Sequence, residues 1–107
     1  MGIIENLEGL LAKGRDNAML RLGLGNAYLQ QGDYRRAAEH LGRAVEQDPG
    51  YSAAWKGYAR ALTELGRPQE AVAAYEAGIA AATDKGDRQA AKEMGVFLKR
   101  LKKTALP

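Results

Sequence analysis

The chain has 107 residues, 16 Lys and Arg against 13 Asp and Glu, and no cysteine. That length allows one domain burying roughly two thirds of its unfolded surface, and the missing cysteines exclude a disulfide framework and a thiolate metal site. Met1-Gly2-Ile3-Ile4-Glu5 lacks the basic start of a secretion signal, Asn6 departs from a myristoylation motif, and no apolar run approaches the ~20 residues of a membrane span, so a soluble cytoplasmic protein is expected.

The net charge of +3 is unevenly placed: residues 1–84 hold nine Lys and Arg against eleven Asp and Glu, and residues 85–107 hold seven against two. The excess positive charge therefore belongs to the last segment alone.

The spacing predicts a first helix over residues 3–14, with Ile3, Ile4, Leu7, Leu10 and Leu11 on an apolar face and Gly14 as its stop. Asp16 or Asn17 caps a second helix over Ala18 to Gln31 by accepting hydrogen bonds from free amides of its first turn. Gly32-Asp33-Tyr34 turns the chain into a helix from Arg35 to Gln47, which Asp48-Pro49 ends. Trp55, Tyr58 and Leu62 share one face of a helix from Ser52 to Leu65. Gly66-Arg67-Pro68 then stops that helix and starts its partner, which runs to about Ala82. After the polar break 83–87, Ala91, Met94, Leu98 and Leu101 line one face of a helix over Arg88 to Lys103, with basic residues in its last turns, where the helix dipole favours them.

Set against itself at an offset of 34 residues, the chain matches Gly23 with Gly57, Ala27 with Ala61, Gly32 with Gly66 and Ala37 with Ala71. These are small residues at close approaches and at the interhelical turn. Leu24-Gly25-x2-Tyr28, Ala37-x3-Leu41, Ala44 and Pro49 in one copy, and Trp55-x2-Tyr58-Ala59-x2-Leu62, Ala71-x3-Tyr75 and Gly78 in the other, resemble the tetratricopeptide repeat family. Arg21 stands where the family has tryptophan, and Thr83 where it has the closing proline. The resemblance implies an all-α fold: antiparallel helical hairpins stacked as a short right-handed solenoid of about five helices in one domain, 1–107. Its parts would be a half repeat at 3–14, repeats at 18–51 and 52–85, and a capping helix at 88–103. Ile3, Leu7 and Leu10 align with Ala37, Leu41 and Ala44, so the half repeat reads as a second helix without its first. A two-residue slip in the period aligns Ala91-x2-Met94-Gly95-x2-Leu98 with the first-helix signature and keeps Lys92 and Glu93 out of the core.

Nothing in the chain composes a catalytic site, and no metal or cofactor is expected. Nucleophilic catalysis needs a nucleophile, a base and usually an orienting group. The chain offers one histidine, His40, expected partly exposed, and one serine, Ser52, expected in a first helical turn. Gly23-Leu24-Gly25 interrupts a helix on this reading, and with no strand before it no phosphate loop forms.

The resemblance instead implies binding of another protein or peptide. In the family, first helices line a concave face, and its groove columns carry over to Met19, Leu22, Asn26 and Leu29, to Lys56, Arg60 and Thr63, and to Gln89, Lys92, Val96 and Lys99. One end would be apolar and the other basic, suited to acidic peptides. Asn26 alone matches the family's chaperone-tail clamp, with Leu22, Gly57, Gln89 and Glu93 in the other clamp columns. Trp55 matches a core column. A nucleic-acid site at Lys99-Arg100-x-Lys102-Lys103 lacks the stacking aromatics it needs, since only Phe97 lies near. Exposure of Ile3 and Leu7 at the open N-terminal end would favour a weak symmetric homodimer, or docking of another protein, through the first helix.

Overall fold

The computed structural model describes residues 2–104; Met1 and residues 105–107 of the expected domain lie outside them. The described residues form six helices and no strand: α1 (Ile3–Ala12), α2 (Ala18–Gln31), α3 (Tyr34–Gln47), α4 (Ser52–Glu64), α5 (Pro68–Asp84) and α6 (Arg88–Thr104). That is one more than the about five expected, because a half repeat, two pairs and a closing helix add up to six. None of the described helices is long and apolar enough to cross a membrane.

Local chemistry fixes the boundaries. The Asn17 side chain accepts from the Leu20 amide at 2.9 Å, the Asp33 side chain from the Arg36 amide at 3.1 Å, and the Asp87 side chain from the Ala90 amide at 3.0 Å, so three helices begin at a satisfied cap. At the turns inside the two helical pairs, α2–α3 and α4–α5, the chain reverses through a left-handed residue, Gly32 at φ 76° and Gly66 at φ 75°. The following amides, of Asp33 and Arg67, donate back to the carbonyls of Tyr28 and Leu62 at 3.0 Å each. A side chain would strain either position.

The helices stack in sequence, each against the next. In addition α2 touches α4 and α4 touches α6, whereas α3 and α5 do not meet. The first helices are therefore drawn together, and the second helices are set further apart.

Three buried clusters join the layers. Leu24, Tyr28, Leu29, Ala37, Leu41 and Ala61 bind α2 and α3 to α4, with Ile4, Leu7 and Leu11 of α1 packed on them. Ala44, Val45 and Ala54 seal the junction of the two pairs. Ala59, Leu62, Ala71, Ala74, Tyr75, Ala82, Met94 and Leu101 unite α4, α5 and α6. Gly23-Leu24-Gly25 does not interrupt α2. Gly25 instead lets α3 come close, since a Cβ there would overlap the Leu41 side chain.

Trp55 is half-buried rather than wholly in the core. It packs on both the junction and the α4–α6 cluster, and its indole N–H donates to the Pro49 carbonyl at 2.7 Å. It thus ties the inter-repeat loop to the second pair, a structural part rather than an exposed contact.

Candidate functional site

Two polar features stand out, at opposite ends of the stack. The first is a network built around Arg21, the residue in place of the family's tryptophan. Its guanidinium grips Asp16 with two bonds of 2.8 Å, and Nη1 lies 3.1 Å from His40 Nδ1. Gln47 donates to Asp16 at 2.9 Å, and the Tyr28 hydroxyl donates to Glu8 at 2.7 Å. The Tyr28 and His40 rings stack at 5.5 Å. Four segments, α1, the α1–α2 loop, α2 and α3, are cross-linked where a single indole would otherwise pack. His40 is accordingly buried, not partly exposed as its sequence position suggested.

The network also fixes the state of His40. A guanidinium can only donate, so Nδ1 accepts and the ring proton of the neutral form sits on Nε2, 4.0 Å from Glu8. Burial holds the His40 pKa below the ordinary value, and Arg21 acts in the same direction while Glu8, Glu39 and Asp16 oppose it. Protonation would set two donors against each other at Nδ1. Because the unfolded chain takes up this proton more readily than the folded one, stability is complete above the ordinary histidine pKa of about 6.5 and declines as pH falls below it. Thermal melting at pH 7.5 and pH 5 should show a lower Tm at pH 5, and His40→Gln should flatten that dependence. An equal pH dependence in the variant would contradict the assignment. Asp16, held far below the usual carboxylate range chiefly by its hydrogen bonds with Arg21 and Gln47, titrates outside this window.

The second feature is a cleft of about 550 Å³ between α4 and α6. Lys56, Arg60, Thr63 and Glu64 of α4 form one wall; Phe97, Arg100, Leu101 and Thr104 of α6 form the other; Tyr75 of α5 lies at its base. The helical period produces this arrangement, since residues three, four and seven apart share a face. Tyr75 and Phe97 stack at 6.1 Å, and the Arg100 guanidinium sits 5.8 Å over the Phe97 ring. Burial pushes the Tyr75 phenol up, with Thr63 and Arg60 pulling it back. Lys56 Nζ meets Glu93 at 2.9 Å, so its charge is partly answered, whereas Arg60 and Arg100 have no ion-pair partner among the described residues.

Of the groove residues expected from sequence, Lys56, Arg60 and Thr63 line this cleft. Lys92 and Gln89 lie with Arg88, Glu93 and Val96 in a shallow depression, and Lys99 lies with Val96, Arg100 and Lys103 in another. At the other end Leu29 is buried in the core, Leu22 is half-buried against two clusters, Asn26 is exposed beside Gly57, and Met19 stands 74% exposed. The apolar end therefore presents Met19 rather than a continuous strip. Glu64, Tyr75, Phe97, Arg100, Leu101 and Thr104 are the cleft residues that the columns missed. Ile3 is exposed, while Leu7 is half-buried against α2.

The described residues hold no group of three or more His, Cys, Asp or Glu able to grip a metal. His40 is enclosed in its network, and Ser52 is the first residue of α4.

The fold defines a class: an all-α helical-repeat protein built of antiparallel helical pairs stacked in sequence. The chain belongs to the tetratricopeptide repeat family, whose models match residues 28–94 and 4–34. It is 57% identical over 99 residues to a TPR repeat-containing protein of Pseudomonas aeruginosa, covering 92% of this chain and 94% of that one. A solution structure of a protein from Bordetella parapertussis superposes with a TM-score of 0.82 at 43% identity, over 96% of this chain and 90% of the other. The crystal structure of a tetratricopeptide repeat domain protein from Salinibacter ruber shares the fold, with a TM-score of 0.75 at 22% identity, over 80% of this chain and 97% of the other. Domains of this family generally mediate protein–protein interaction and are typically not catalytic.

Proposed function

We propose that the chain is a non-catalytic module that holds an acidic peptide segment of a partner protein in the α4–α6 cleft. The observation that carries this reading is the pair of arginines without ion-pair partners among the described residues, Arg60 on the α4 wall and Arg100 on the α6 wall of a cleft that Tyr75, Phe97 and Leu101 also line. A carboxylate between them takes charge-assisted hydrogen bonds from planar, bidentate donors. An apolar side chain beside it lies against the aromatic residues, and the Thr63 and Thr104 hydroxyls, which donate to the Ala59 and Arg100 carbonyls at 2.8 and 2.9 Å, are left to accept from peptide amides. Lys56 contributes less, because Glu93 already holds it.

Peptides that carry two or three carboxylates beside one apolar residue test this chemistry. Calorimetric titration should show weak binding that falls as salt rises, through screening of the partly exposed charges. Replacing the peptide's Glu by Gln should weaken it further. Equal affinity for the acidic peptide and its amide analogue would refute the reading. A second reading, as a structural subunit in a homo-oligomer, is favoured by Ile3 at 64% exposure.

A further inference from the structure

We propose that a second copy of this chain completes the two half repeats, with α1 of one copy packing on α6 of another in a head-to-tail contact. Each end of the stack lacks what the other end supplies.

In the whole pairs, the first helix presses a small residue against its second helix. Gly25 lies so close to Leu41 that a Cβ would overlap it, and Ala59, one period on, is completely buried. Gly95 is the next member of this series, after the two-residue slip. An added Cβ there would meet nothing within 4 Å among the described residues. α6 is thus a first helix without its second.

α1 shows the opposite deficit. Ala37 and Ala71 on the two complete second helices are 0% exposed, and Ile3, in the same place one period earlier, is 64% exposed. Leu41 lies between two first helices: it packs on Gly25 of its own pair, and its Cδ1 is 3.1 Å from where a Cβ on Gly57 of the next pair would be. Leu7 keeps the second of these contacts, with its Cδ1 3.3 Å from the Cβ position of Gly23, the counterpart of Gly57. It lacks the first. The residue missing from beside Leu7 is a small one on a preceding first helix, and Gly95 is such a residue with open space over it.

Charge favours the same pairing. Residues 85–107 hold seven Lys and Arg against two Asp and Glu, while residues 1–84 hold nine against eleven. Arg88 and Lys99, seven before and four after Gly95, flank it on one face of α6 and are exposed, so a cation placed on the facing side of α1 would be repelled. Gly95 lies on the side of α6 away from Phe97, at about 100° per residue, so the contact leaves the cleft free and does not depend on peptide binding. The two surfaces differ, so the contact is heterologous and adds copies end to end instead of closing a symmetric dimer. With one helix face buried per contact, association is weak and depends on concentration.

Sedimentation equilibrium of the full chain tests this with two variants. Ile3→Lys places a cation at an exposed site that would meet basic α6, and Gly95→Leu fills the open space where Leu7 of the second copy would lodge. Both sites have room in the monomer, so both variants should keep the native helical signal. Native chain should grow in average mass as concentration rises. Each variant alone should associate at least tenfold more weakly, and an equimolar mixture should form a heterodimer, since one variant retains an intact α6 and the other an intact α1. A native chain that stays monomeric to millimolar concentration would overturn the proposal. So would a mixture that stays monomeric, or a Gly95→Leu variant that associates like the native chain; the latter is what symmetric pairing through α1 requires. Arg60→Glu with Arg100→Glu should associate as the native chain does, which separates failure of this contact from failure of the peptide site.

Discussion

Leu41→Ala should destabilise the chain by about 2–5 kcal/mol, the range for removing a large aliphatic side chain from a closed core site. Leu41 is completely buried and lies against Gly25 on one side and Gly57 on the other. The glycines have no side chains with which to fill the vacated volume, and α2 and α4 are already drawn together, so the site cannot collapse easily. A loss of that size is a large part of the ~5–15 kcal/mol stability of a small domain. Chemical denaturation followed by helical circular dichroism measures it. A loss below about 1 kcal/mol would mean that the pairs are not held together through this residue.

Reversing both cleft arginines, Arg60→Glu with Arg100→Glu, should weaken an acidic peptide about a hundredfold. Hydrogen bonds to charged groups contribute about 1.5–3 kcal/mol each, and solvent exposure of both side chains lowers the pair's total to about 2.7 kcal/mol, equivalent to that factor. Both residues are exposed, so the variant should melt like the native chain. Lys56→Glu alone should have a smaller effect, because it breaks an exposed ion pair with Glu93 rather than removing a free cation. A Lys56 variant that loses as much affinity as the double arginine variant would move the site toward the N-terminal half of α4.

The sequence carried much of the fold because the fold is periodic. Small residues at Gly23, Ala27, Ala37, Gly57, Ala61 and Ala71 mark where helices approach closely, and glycine or proline at the turns marks where they stop. The two-residue slip before α6 was legible for the same reason, since only that register puts Met94 inside and keeps Lys92 and Glu93 at the surface.

The cleft was harder to read. On a helix one residue is about 100° of rotation, and that single step separates Val96 from Phe97 and Lys99 from Arg100. Groove columns taken from inner repeats point toward a following pair, but α6 has none in the chain, and the cleft is formed by its α4-facing side. The Arg21 network left no spacing signal at all. Arg21 was visible as a departure from the repeat, yet its neighbours Glu8, Asp16, His40 and Gln47 come from separate segments that only the packed fold brings together.

Backbone chemical-shift mapping with an acidic peptide tests the central claim most directly. The amides of Arg60, Thr63, Phe97 and Arg100 should move first and furthest as the peptide is added, with smaller changes at Lys56 and little on the second helices α3 and α5. Shifts concentrated on α3 and α5, with the α4–α6 cleft unmoved, would contradict it.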